Sequence, residues 1–174
     1  MAQIYTATSR HAAPSPVAGW QWQPFANATY LARLRAAVGI IDSRVKKYLP
    51  CNTAFRSLPG GRTFADVWSD PSVWICYDPG VQANRYGATL ANDITLSQFS
   101  CRMGTWTLAA TLIHELAHVN GASGRDAAAE RTLMPCLMGN LYDPHIIGRI
   151  KSACDYDVVV AMNQFLHWGG ANYA

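Results

Sequence analysis

The sequence predicts a single compact α+β domain, and three observations carry that prediction. Leu31, Leu34, Val38, Ile41 and Val45 recur at the spacing of one helical face. Val73-Trp74-Ile75-Cys76-Tyr77 is an apolar run of strand length, closed by Asp78-Pro79-Gly80. Thr105 to Asn120 is a long apolar segment stopped by Gly121, which reads as a buried helix with its C-terminal glycine. Half of the 174 residues are hydrophobic and 14% are charged, enough to enclose one core, so residues 1–174 are taken as one domain.

Residues 1–27 hold Pro14, Pro16, Gly19 and Pro24 with no sustained period, and read as an irregular lead-in. Asn27 is the expected N-cap of the first helix, which must end near Leu49 because Pro50 disfavours helix in the residue before it. The segment from there through Pro59-Gly60-Gly61 is expected to be a loop. After the Val73–Tyr77 strand, an extended region covers Tyr86 to Ser97. Asn92-Asp93 either turns it into a hairpin or interrupts one edge strand, and both readings stand. Beyond the Thr105–Asn120 helix, a loop over residues 121–125 leads into Asp126-Ala-Ala-Ala-Glu130, a helix start with an acid in its first turn, limited by Pro135. Residues 146–153 and 158–167 are expected to be two further helices.

A net charge of +3 argues against a nucleic-acid partner. The densest basic cluster, Arg44, Lys46 and Lys47, is accounted for as a solvated helix end favoured by the dipole. No apolar run reaches the length of a membrane span, and the first twenty residues lack a signal peptide's apolar stretch. The expectation is therefore delivery by a route without a signal peptide, or else cytoplasmic residence. Of five cysteines (Cys51, Cys76, Cys101, Cys136 and Cys154), none lies in a CxxC pair, which argues against a cysteine-built structural zinc site. Two disulfides with one free thiol and a fully reduced set both fit.

Within Thr105–Asn120 the ionisable side chains are His114, Glu115 and His118, surrounded by apolar or small residues. Burying a carboxylate and two imidazoles costs free energy unless something compensates them. A divalent metal does so directly. Residues i and i+4 share a helical face, so His114 and His118 can grip one zinc ion. Glu115, beside the first ligand, reaches a zinc-bound water and can take its proton before passing it to a leaving amine. This is the H-E-x-x-H arrangement.

Over residues 86–135 the chain resembles the zincin metallopeptidases. It has an extended segment, the His114-Glu115-Leu116-Ala117-His118 helix, and an acid after it. The resemblance implies a zincin-like fold with a small mixed sheet and an active-site helix, a zinc cofactor, and cleavage of a protein or peptide substrate aligned along the preceding edge strand. The metzincin continuation is absent, since Gly124 stands where the third histidine belongs. Two acids remain for the third ligand. Gly124-Arg125-Asp126 loosely echoes the aspzincin loop, whereas Glu130 would serve in the gluzincin manner. With the loop centred near Ser123, an antiparallel second helix puts Glu130 opposite Leu116, midway between the histidines, and Asp126 opposite Asn120. Glu130 is therefore favoured and Asp126 stays open, otherwise an N-cap or first-turn acid.

Tyr142, His145 and Tyr86 are candidate donors to a tetrahedral oxyanion, and Met134 and Met138 read as core methionines. The small size and the His114–Glu130 stretch also resemble metallopeptidase toxin domains delivered by bacterial secretion systems, including type VI and Rhs-type effectors. That resemblance implies an immunity protein as a partner. Two other functions compete with peptide hydrolysis. One is a binding module whose zinc is structural and closed by Cys136 or His145. The other is a metal-dependent hydrolase of a non-peptide substrate.

Overall fold

The structure, a computed structural model, describes residues 1–80, 85–124 and 128–138. Among these residues the chain forms six α-helices and one small four-stranded mixed sheet, the expected α+β class. The strands are β1 (Gln3–Ile4), β2 (Trp74–Asp78), β3 (Gly87–Leu90) and β4 (Asp93–Ser97), in spatial order β1-β2-β4-β3. β1, β2 and β4 run parallel, and β3 returns antiparallel along β4 to form one edge. The open choice at residues 86–97 thus resolves to a hairpin. Its turn falls at Ala91-Asn92, one residue before the expected dipeptide, with Ala91 at φ 54°. The lead-in is not wholly irregular, because Gln3 and Ile4 add a short parallel strand beside Trp74 and Ile75.

Helix α1 (Ala28–Ile40) begins where expected, the Asn27 side chain accepting a hydrogen bond from the Tyr30 amide. It continues through a π-helical turn over Ile41–Val45, at which Asp42 Oδ1 accepts from Trp68 Nε1 at 2.7 Å. The expected loop after Leu49 is corrected: it contains α2 (Leu49–Arg56), with Pro50 in its first turn, where a missing amide hydrogen costs no intrahelical bond. α3 (Phe64–Ser69) follows, started by a Thr63–Asp66 capping box, and α4 (Gln98–Met103) leaves β4 directly.

Helix α5 (Thr105–Val119) runs through the middle of the domain, packed on β3 and β4 and against α1, α3, α4 and α6 (Ala128–Leu133). Its Leu108, Leu112, Ile113 and Leu116 are fully buried with Ile75, Ile94 and Leu96 of the sheet. Burial on nearly every side is why its sequence is apolar around the turn rather than striped. Strand alternation puts Trp74, Cys76, Asp93 and Thr95 on the opposite sheet face. The lead-in covers that face, with Thr95 Oγ1 donating to the Gln21 carbonyl.

Cys51 of α2 is joined to Cys136, just past α6, while Cys76 and Cys101 are buried thiols. Engaged in that bond, Cys136 is removed from the candidate ligands of a structural zinc. Met138 is buried as expected of a core methionine, but Met134 is exposed, a correction explained by its place in the turn after α6. Asp126, Tyr142, His145, Cys154 and the two helices expected near the C-terminus lie outside the described residues. Among the described residues no helix is long and apolar enough to cross a membrane.

Candidate metal centre

The histidine pair is set by how α5 ends. Asn120 caps the helix and Gly121 takes φ 85°, a left-handed conformation that a side chain would strain. The Ala122 amide donates to the Ala117 carbonyl and the Gly121 amide to that of His118, which together make a Schellman cap. This reversal delivers the Ala122 carbonyl to within 2.9 Å of His118 Nδ1. A carbonyl can only accept, so Nδ1 carries the hydrogen and Nε2 presents its lone pair.

That Nε2 faces the Nε2 of His114 across 3.1 Å, one turn earlier on the same helix. Two imidazole nitrogens held at about 2.0–2.1 Å from one tetrahedral zinc stand about 3.3 Å apart. The spacing observed is close to that value, and the donor set suits zinc. Burial, reinforced by neighbouring His118, pulls the His114 pKa down to about 3, which keeps the ring in the neutral form a metal ligand needs.

Glu115 packs against the edge strand β3. Its Oε2 accepts a 2.7 Å hydrogen bond from Thr89 Oγ1 of β3. β3 comes this close because residue 87 is glycine: a Cβ there would stand 2.9 Å from Glu115 Oε1 and 2.9 Å from Thr111 Cγ2. Burial pushes the Glu115 carboxyl up to about 7. The Thr89 hydrogen bond and His118 oppose that rise, and Glu130 adds to it. A carboxyl tuned near neutrality is suited to taking and returning a proton.

Glu130, on α6, places Oε1 4.0 Å from Nδ1 of His114. It lies beside the His114 ring, on the side away from Nε2. From there it needs a side-chain rotation to join the two nitrogens at a common ion. The described residues therefore bring together His114, Glu115, His118 and Glu130. Tyr86 is half-buried, its ring edge-on to Phe99 at 5.2 Å. Thr89, Gly87 and Ala122 escape a reading of the sequence. Ala122 alone had a signal there, in the glycine stop before it.

Comparison with protein-family models, with curated proteins and with solved structures finds no match to this chain.

Proposed function

We propose that the chain is a zinc-dependent hydrolase of peptide or peptide-like amide bonds, with His114 and His118 as ligands, Glu130 as the third and Glu115 as the general base. One observation carries the reading. On a single helix, two imidazole nitrogens face each other at 3.1 Å, and the adjoining residue is a buried carboxyl with its pKa raised toward neutrality. Zinc held by these residues would polarise the scissile carbonyl and lower the pKa of water, so that its proton is lost more readily and its oxygen becomes a stronger nucleophile. Glu115 accepts the proton of the attacking water and hands it to the leaving amine. Thr89 holds one carboxylate oxygen of this base, and the other lies beside Gly87 of the edge strand.

A peptide is the substrate class that the surroundings favour. Among the described residues β3 is the edge of the sheet and lies directly on Glu115, so its outer rim offers backbone groups to an extended chain beside the base. The Cys51–Cys136 bond favours an oxidising compartment, consistent with an exported or delivered protein.

The deciding experiment measures zinc content and cleavage of a generic unfolded protein by the wild type and by Glu115→Gln. The same zinc content in both proteins, with cleavage lost by a hundredfold or more in the variant, is the expected result. Equal cleavage by both proteins, or zinc with no amide cleavage by the wild type, would overturn the reading. Comparing zinc affinity in Glu130→Ala and Asp126→Ala identifies the third ligand, with the larger loss expected at Glu130.

A further inference from the structure

A second cluster of metal-ligating side chains lies on the opposite face of the sheet from α5. His11 Nε2 stands 2.5 Å from Asp93 Oδ1, and Cys76 Sγ stands 4.0 Å from the same oxygen. The donor atoms of all three lie within 4.8 Å of one another. They come from three places in the chain: the lead-in, the middle of β2 and the first residue of β4. Aromatic walls hold the imidazole in place. Trp74 stacks on it with centroids 4.3 Å apart and planes 10° apart, and Tyr5 meets it edge-on at 5.2 Å.

A histidine–aspartate ion pair would account for two of these residues and leave the third unexplained. Cys76 is fully buried, belongs to no disulfide, and turns its sulfur to a carboxylate rather than into the apolar core. A neutral thiol is a poor hydrogen-bond donor, and a thiolate beside a carboxylate would repel it. A shared cation satisfies both. We propose that His11, Cys76 and Asp93 form a second metal site, which binds a divalent ion of the zinc class and clamps the lead-in to the back of the sheet.

The donor set selects the ion. Thiolate with imidazole and carboxylate is a zinc-type combination, whereas calcium and magnesium take oxygen donors. Ligand atoms about 2.0–2.3 Å from a tetrahedral zinc stand about 3.3–3.6 Å apart, between the two distances seen here. Small rotations of His11 and Asp93 therefore suffice to admit the ion. On binding, the Cys76 proton leaves to solvent and the sulfur coordinates as thiolate. The His11 and Asp93 side chains keep 10% and 16% of their exposure, which leaves solvent access for the fourth position. The clamp has a mechanical meaning. The lead-in is held to the sheet near its ends, by Tyr5 on Ile75 and by Gln21 and Gln23 on Thr95 and Tyr77, and between them His11 ties it to Asp93 of β4 while Arg85 meets Ala18 and Trp20.

This site is independent of the α5 centre, and cobalt separates the two. The chelator-treated full chain is titrated with Co2+ while the near-ultraviolet thiolate-to-cobalt charge-transfer band is followed. The band is expected in the wild type, in Cys101→Ser and in the His114→Ala, His118→Ala double variant. It should vanish in Cys76→Ser, and the cobalt affinity of that band should fall at least tenfold in His11→Gln, which leaves the thiol and the core intact. No band at saturating cobalt, or one that persists in Cys76→Ser, would overturn the proposal. A parallel measurement guards against misfolding of the cysteine variant. In the Cys101→Ser background, Zn2+ should slow alkylation of Cys76 at least tenfold, and an unchanged rate would equally overturn it.

Discussion

The Ala122 carbonyl lies 2.9 Å from His118 Nδ1, so the turn that ends α5 also decides which nitrogen of His118 keeps its lone pair free of a hydrogen. The turn exists because Gly121 adopts φ 85°, and a Cβ there would also stand 3.2 Å from the Gly60 nitrogen and 3.3 Å from Pro59 Cβ. Gly121→Ala should therefore shift Ala122 and loosen the orientation of His118. Partners of this kind are typically worth 10- to 100-fold in metal affinity. The expected outcome is a zinc affinity weakened by roughly that factor, with a stability loss of about 1 kcal/mol or more from backbone strain. Competition against a chromophoric chelator measures the first and urea denaturation the second. Unaltered zinc affinity in a destabilised protein would show that the carbonyl is incidental.

Thr89 and Glu115 form the next link, 2.7 Å apart between the edge strand and the helix. Thr89→Val keeps the shape and removes the donor. The hydrogen bond lowers the Glu115 pKa, so its loss moves that pKa further up, and the acid limb of the rate–pH profile should shift to higher pH. A hydrogen bond to a charged group is worth about 1.5–3 kcal/mol, which sets the expected loss in kcat/KM at about tenfold or more below the shifted limb. A profile that falls uniformly without moving along the pH axis would point to a purely structural role for Thr89.

Local order was legible in the chain, and contact between distant segments was not. The histidines one turn apart, the Gly121 stop and the Asn27 cap are all written within a few residues of the feature they produce. The helices α2, α3 and α4 span only 8, 6 and 6 residues, too few for a periodic pattern to stand out, and their stability comes from packing. The hairpin turn was ambiguous because its left-handed residue is Ala91, which carries none of the glycine or asparagine signal such turns normally show. Glu115 meeting Thr89, Cys51 meeting Cys136 and His11 meeting Asp93 depend on chain reversals that no local pattern encodes.

The disulfide bears on the proposed metal site through α6. Cys136 follows the helix that carries Glu130, and its bond to Cys51 anchors that helix to α2 across 85 residues of sequence. Cys51→Ser should cost about 2–4 kcal/mol of stability and, by loosening α6, lower zinc affinity as well. The two effects separate at low temperature, where the variant is still folded. There the wild type should hold zinc at least tenfold more tightly. If affinity is equal in the folded proteins, α6 is positioned by its packing on α5 alone, and the disulfide serves only stability.

Metal-free protein should show the cost of burying Glu115 without a cation. Its pKa is about 7 in the folded chain against an ordinary 4.5, so the folded state keeps a proton that the unfolded state gives up between those values. The stability linked to this group is present below pH 4.5 and is lost as pH rises through 7. His114 acts in the opposite sense. Held near 3 against an ordinary 6.5, it leaves the unfolded state binding the extra proton, and stability is lost as pH falls from 6.5 toward 3. The two slopes oppose each other between pH 4.5 and 6.5 and hide one another in the wild type. Glu115→Gln removes only the first slope. In the presence of chelator, the variant should therefore gain on the wild type steadily as pH climbs from 4.5 to 7, in urea melts at matched ionic strength. A stability difference that stays flat over that range would mean that water reaches the carboxylate, and that the apolar wall around Glu115 does not tune it.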